Sequence, residues 1–240
     1  MARLFVARLF VARMIVGWVF VGRLIFGCMF ARLGVTGGRR PVSECRMTAA
    51  SGGIMAGHTR IPKAELTGVY GAVVRRMSRR MLGGVPEPVE VAWHHRKVLS
   101  FSMNMGRRAQ KWHECDENLK SFAQLAVASM IGCSFCLDFG YFQGQNNGLD
   151  MAKAREVPRW HESDVFTALE RDVLAYAEAM TRTPPDVTDE LSARLLAALG
   201  LAGLVELTMS IALTNLTARG NTALGVTSQG FADSCVVSPA

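Results

Sequence analysis

The chain is short of the residues that build sheets, covalent scaffolds and stacking surfaces. No period-2 alternation of apolar and polar residues occurs after residue 57, which excludes a sheet as the organising frame. The six cysteines, at 28, 45, 115, 133, 136 and 235, are too few and too irregularly spaced to staple 240 residues. A disulfide-built scaffold is therefore excluded, and a reducing compartment with one redox or metal-binding pair is the economical reading. Aromatic residues make up 8% of the chain, and none is interleaved with the densest basic cluster, Arg75-Arg76-Met77-Ser78-Arg79-Arg80. Without stacking partners that cluster does not read as a nucleic-acid site. It reads as a solvated helix face, one half of an acid-base subunit contact, or a site for an anionic partner.

Acidic residues are nearly absent from the first 46 positions, which carry eight arginines against the single Glu44. The basic balance of the whole chain comes from there, because residues 47–240 hold 19 basic and 19 acidic side chains. Within that neutral body the halves differ, with 12 basic and 6 acidic residues over 47–120 and 7 and 13 over 121–240. The opening stretch repeats Leu-Phe-Val-Ala-Arg with period five, which fits neither a helix nor a strand. Residues 14–31 are apolar apart from Arg23, whose central charge costs about 2.5–3.5 kcal/mol on insertion into a bilayer. A signal peptide fits poorly, since the charges run through the apolar stretch. Residues 1–57 are thus expected to be an extension and linker: a membrane-associating leader, a disordered segment, or, as the favoured reading, translated sequence ahead of a start at Met47 or Met55. Membrane contact, if any, is assigned to residues 1–35. A cytoplasmic location is expected, with membrane association through this segment as the alternative.

Residues 58–240 read as one all-α domain. The apolar positions Leu66, Val69, Tyr70, Val73, Val74, Met77 and Met81 fall on one helix face, with Pro62 as a start signal and Gly83-Gly84 as the stop. A second helix is predicted from Pro86 or Pro88 past Trp93 towards Met103, and a third from the capping residue Asp116 to Ile131. A fourth runs from Cys133 to about Gln143, and a short one lies between Asp150 and Pro158. Thr167-Ala168-Leu169-Glu170 is a capping box for another. Two more are predicted, from Thr188 to Leu199 with Gly200 as the stop, and from about Gly203 to Arg219. The second of these is apolar nearly all round and is expected to be central, or buried between subunits.

Cys133 and Cys136 hold the chemistry. On a helix, residues i and i+3 share a face, so the two sulfurs can meet in a disulfide or share a metal. Gly132 places them in the first turn of a helix, where unpaired N–H groups stabilise a thiolate and lower its pKa. Redox or peroxide chemistry, a zinc site helped by His113 and Cys115, and inert buried thiols all remain open from the residues alone. His94, His95 and His161 read as structural or surface residues.

The stretch from Leu119 through Gly132-Cys133-Ser134-Phe135-Cys136, together with the closing Asn215-Leu216-Thr217-Ala218-Arg219-Gly220-Asn221-Thr222-Ala223-Leu224-Gly225-Val226, resembles the carboxymuconolactone decarboxylase and AhpD-like alkylhydroperoxidase superfamily over roughly residues 60–230. The resemblance implies an AhpD-like helical bundle, a homo-oligomer, no metal or other cofactor, and thiol-dependent reduction of a hydroperoxide substrate. It further implies that Cys136 attacks the peroxide, that Cys133 closes the disulfide, and that an external dithiol restores the pair. The family's peroxidases carry a glutamate twelve residues before the first cysteine and a histidine four after the second; this chain has Ser121 and Gly140 there. Asp138 and Glu117 are the candidates to stand in for that proton relay, with Tyr141 behind them. The alternatives are a lactone decarboxylase, which needs no redox pair, and a non-catalytic helical oligomer with structural or zinc-binding thiols.

Overall fold

The computed structural model describes residues 59–232, and among these every regular element is helical. The expectations for residues 1–57, and Cys28, Cys45 and Cys235, fall outside the described residues. The helices are α1 (Gly68–Leu82), α2 (Glu87–Ala92), α3 (Arg96–Ala109), α4 (Glu117–Ile131), α5 (Ser134–Asn147), α6 (Met151–Glu156), α7 (Ala168–Thr181) and α8 (Asp189–Leu224). Two 3-10 turns, Trp93–His95 and Val157–Glu162, join α2 to α3 and extend α6.

α4 is the centre. Its buried residues Leu119, Phe122, Ala123, Leu125, Ala126 and Val127 recur at three- and four-residue steps, and it packs against α5, α7 and α8. The side chain of Asp116 starts it, accepting from the Asn118 and Leu119 N–H groups at 2.9 and 3.2 Å. Gly132, at φ +75°, ends it in the left-handed conformation that glycine adopts at little cost. The predicted capping box is present at the head of α7, where Thr167 and Glu170 exchange hydrogen bonds.

Two expectations change. The helix predicted from Pro62 begins at Gly68, because Ala64 donates to the Glu90 carbonyl at 3.2 Å and Leu66 is buried, drawing residues 62–67 into extended chain. The helix predicted through Trp93 is broken at His95, whose non-helical backbone (φ −133°, ψ 82°) lets its ring accept from the Val98 N–H and start α3 anew. The two helices predicted on either side of Gly200 do break there, at a residue with non-helical φ +70° and ψ 175°, and follow one another end to end across that kink within α8.

A buried ion pair ties α8 to the start of α4. Lys120 reaches Glu206 at 2.5 Å, Glu117 at 2.8 Å and the Trp112 carbonyl at 2.9 Å, while the second Glu206 oxygen accepts from the Glu114 N–H at 2.8 Å. By contrast α1 buries only Gly71 and Val74 of its fifteen residues. The apolar face read from its sequence is only in part a core face: Leu66 and Val74 are buried and Tyr70 stacks on Trp93, whereas Val69 is 84% exposed and Val73 and Met81 also face solvent.

Candidate active site

The turn from α4 into α5 positions the two thiols. Gly132 reverses the chain, the Cys133 N–H donates to the Ala128 carbonyl at 3.0 Å, and Cys133 becomes the N-cap of α5. Its sulfur accepts from the Cys136 N–H at 3.3 Å, so it lies among the unpaired donors of the helix start. Cys133 and Cys136 are joined in a disulfide with Cα atoms 5.2 Å apart. They differ in access: Cys133 is 1% exposed, packed with Val91, Phe135, Ala218, Val226 and Phe231, whereas Cys136 is half-buried. The Asn221 amide Nδ2 of α8 donates to the Cys136 sulfur at 3.5 Å.

Asp138, a candidate relay residue, has another occupation. It is 8% exposed, and its carboxylate accepts from the Ser228 hydroxyl at 2.9 Å, the Gln229 and Phe231 N–H groups at 3.0 Å, and the Ala232 N–H at 2.8 Å. These bonds strap the segment after α8 across the cysteine cluster. Glu87 holds the same strap from α2, accepting from the Thr227 N–H at 2.8 Å, and the Gln229 side chain answers by accepting from the Glu87 N–H. Burial pushes the Asp138 carboxyl upward, but the four donors outweigh it and hold it below its ordinary value. A carboxyl lowered on folding adds stability above its unfolded pKa of about 3.9, and that stability is lost as pH falls through the folded value. Asp138→Asn is accordingly expected to cost about 1–3 kcal/mol at neutral pH, the scale of bonds to a charged group. It should also flatten the acid limb of the stability curve. Denaturant melts at several pH values, with hydrogen exchange at Phe231 and Ala232, check this; unchanged exchange would remove the strap.

Glu117 stands at the opposite end of α4 from the disulfide, about 20 Å away along the helix axis, and is committed to Lys120 at 2.8 Å. It is not brought to the thiols. Ser121, at the family's glutamate position, donates to the Glu117 carbonyl at 2.7 Å. Gly140, at the family's histidine position, faces α4: a Cβ there would come within 2.9 Å of the Leu125 side chain, which is 2% exposed. The nearest atom is the Leu125 Cδ2, so Leu125 would have to shift to admit a side chain at 140. Tyr141 packs against the main core, and burial raises its pKa. His94 bonds the Pro62 carbonyl at 2.7 Å, and His161 bonds Glu178 at 2.9 Å, so both have structural partners.

Cys115 is a buried free thiol that burial pushes up to about 11, far from reactive at neutral pH. Among the described residues no three His, Cys, Asp or Glu side chains gather to hold a metal ion. Beside the α4–α5 turn lies an open groove of about 670 Å³ lined by Met130, Ile131, Thr181, Arg182, Pro184 and Arg219. Ile131 also packs against the cysteine cluster, so the groove reaches the edge of the site.

The sequence profile of the carboxymuconolactone decarboxylase family matches residues 98–179. The uncharacterized protein YnjA of Escherichia coli K12 is 35% identical over 158 residues, which are 65% of this chain and 86% of that protein. The chain belongs to the carboxymuconolactone decarboxylase family. Solved structures extend the likeness of fold. An uncharacterized peroxidase-related protein from Silicibacter sp. TM1040 superposes with a TM-score of 0.62 at 15% identity, over 72% of this chain and 92% of that one. The alkylhydroperoxidase AhpD core of a peroxidase-related protein from Ralstonia eutropha JMP134 gives 0.62 at 14% identity, over 72% and 94%. The expected AhpD-like helical fold is thus the fold of this carboxymuconolactone decarboxylase family member.

Asn221 was legible only as part of the closing motif. Nothing local marks it as a partner for a sulfur 85 residues earlier in the chain.

Proposed function

We propose that the chain reduces hydroperoxides with its paired thiols, cycling between a dithiol and the Cys133–Cys136 disulfide. The observation that carries this reading is the disulfide itself, set in the first turn of α5 with one sulfur half-buried and touched by the Asn221 amide. In the reduced state the α5 N-terminus stabilises a Cys136 thiolate, and the Asn221 N–H adds a donor to it. The thiolate attacks the outer oxygen of ROOH: an S–O bond forms, the O–O bond breaks, and RO⁻ leaves to take a proton from solvent. Cys136 is now a sulfenic acid. Cys133 attacks that sulfur, the disulfide forms, and hydroxide departs as water with the Cys133 proton. An external dithiol returns two electrons and two protons.

Neither Asp138 nor Glu117 is placed to assist the leaving oxygen, and general acid help is ordinarily worth about 10²–10⁴-fold. A slow peroxidase follows, one whose alkoxide is protonated by water. The groove beside Ile131 gives an alkyl chain somewhere to lie.

Counting thiols tests the reading. The reduced chain is expected to lose two free thiols on treatment with one equivalent of cumene hydroperoxide, with Cys133 and Cys136 found joined by peptide mapping. Retention of both thiols, with or without stoichiometric zinc, would overturn it.

A further inference from the structure

The reading above needs a dithiol from outside, and the chain shows where one can dock. We propose that the arginine face of α1 is the docking site for an acidic protein that carries the reducing dithiol, an inference that rests on the redox cycle just described.

Four observations lead there. First, α1 contains four arginines, at 75, 76, 79 and 80, and no acidic residue. All four are exposed, and none has an ion-pair partner among the described residues. Arg159, Arg182 and Arg194 are each paired with a carboxylate, while Arg96, Arg108 and Arg155 are exposed without an ion pair among the described residues; what sets α1 apart is four such arginines on one helix that has no acidic residue. Second, with Ala72 they line one continuous open depression. A shallow, open surface fits an extended acidic partner better than a small enclosed anion. Third, α1 is thinly packed, burying only Gly71 and Val74, and among the described residues nothing covers its outer side.

The fourth observation couples the face to the chemistry. Leu82, in the last turn of α1, packs against the cluster that holds Cys133 and Cys136. Arg79 and Arg75 precede it by three and seven residues and so lie on its side of the helix, about 4.5 and 10 Å away along the axis. A carboxylate-rich surface seated on those guanidiniums brings its own dithiol to the edge of the disulfide. Arginine presents paired N–H groups to carboxylates, and a positive surface raises the encounter rate of an acidic partner by tenfold or more at low salt.

The exchange balances. The partner's thiolate attacks the more exposed Cys136 sulfur, forming a mixed disulfide while the Cys133–Cys136 bond breaks, and Cys133 leaves as a thiolate that takes a proton. The partner's second thiol then attacks its own first sulfur, releasing Cys136 and carrying away the oxidised partner disulfide.

The test uses the full oxidised chain and three reductants: dithiothreitol, a Cys-x-x-Cys peptide flanked by glutamates, and the same peptide with glutamines. Second-order rates of disulfide reduction are measured, each peptide rate divided by the dithiothreitol rate. The glutamate peptide is expected to react about tenfold faster than the glutamine peptide at low salt. Salt at 0.5 M, where the screening length is only a few ångströms, should erase the preference. Arg75→Glu/Arg79→Glu should abolish or invert it, and Arg75→Gln/Arg79→Gln serves if the reversal unfolds the chain. Equal rates for the two peptides, or a preference that survives the double substitution, would overturn the proposal. So would a double variant that loses the preference only by breaking an oligomer apart in sedimentation, since the arginines would then belong to a contact between copies. Because the readout is disulfide reduction alone, a chain that shows the charge preference yet consumes no cumene hydroperoxide would refute the peroxidase reading and leave the docking face standing.

Discussion

Cys136→Ser is expected to abolish hydroperoxide turnover, by three or more orders of magnitude, which is the scale seen when an enzyme loses its nucleophile. The expectation comes from access and bonding together. Cys136 is the half-buried sulfur and the one that Asn221 touches, whereas Cys133 is sealed beneath Phe135, Val226 and Phe231. A serine hydroxyl at 136 keeps the shape but ionises far too weakly to attack a peroxide at neutral pH. Cys133→Ser should behave differently, consuming one equivalent of hydroperoxide and stopping with Cys136 as a sulfenic acid that dimedone traps. Steady-state turnover and single-equivalent consumption of cumene hydroperoxide, measured side by side, check both. If Cys133→Ser loses the first equivalent and Cys136→Ser keeps it, the roles are reversed.

The largest stability effect is expected from Glu206→Leu. Lys120 and Glu206 are both buried, and their charges face each other at 2.5 Å. Burial pushes the Glu206 carboxyl upward, but Lys120 and the Glu114 N–H bond more than offset this and leave it lowered. Removing the carboxylate leaves an ammonium in the interior with only Glu117 and a carbonyl for company, at a cost of about 3–5 kcal/mol. The double variant Lys120→Met/Glu206→Leu removes both charges and is expected to recover most of that loss, because a buried pair is often no better than an apolar pair of similar volume. Urea melts of the parent, the two singles and the double give the coupling directly. Additive losses would mean the two charges do not depend on each other.

The parts of the fold that were legible in the sequence are those whose signals are local. Asp116, Gly132 and the Thr167/Glu170 box mark helix ends through bonds spanning two to four residues, and each end falls where its residues place it. The paired thiols were legible for the same reason, since a spacing of three is itself a geometry. What periodicity does not carry is the identity of the covering surface. Val69, Val73 and Met81 repeat like a core stripe, yet nothing among the described residues lies over them. Asp138 shows the limit at the site: a carboxylate two residues after Cys136 reads as a proton donor until its four donors, some ninety residues later in the chain, are in place. Asn221 and the Lys120–Glu206 pair are likewise long-range meetings that leave no short-range trace.

The close fit of Leu125 over Gly140 has a consequence for how this site can change over time. A side chain at 140 depends on position 125: its Cβ would meet the end of the Leu125 side chain at 2.9 Å and require it to shift, while a smaller residue at 125 would leave a hole where Leu125 is buried. Positions 125 and 140 are thus coupled, and a substitution at one is expected to change the effect of a substitution at the other.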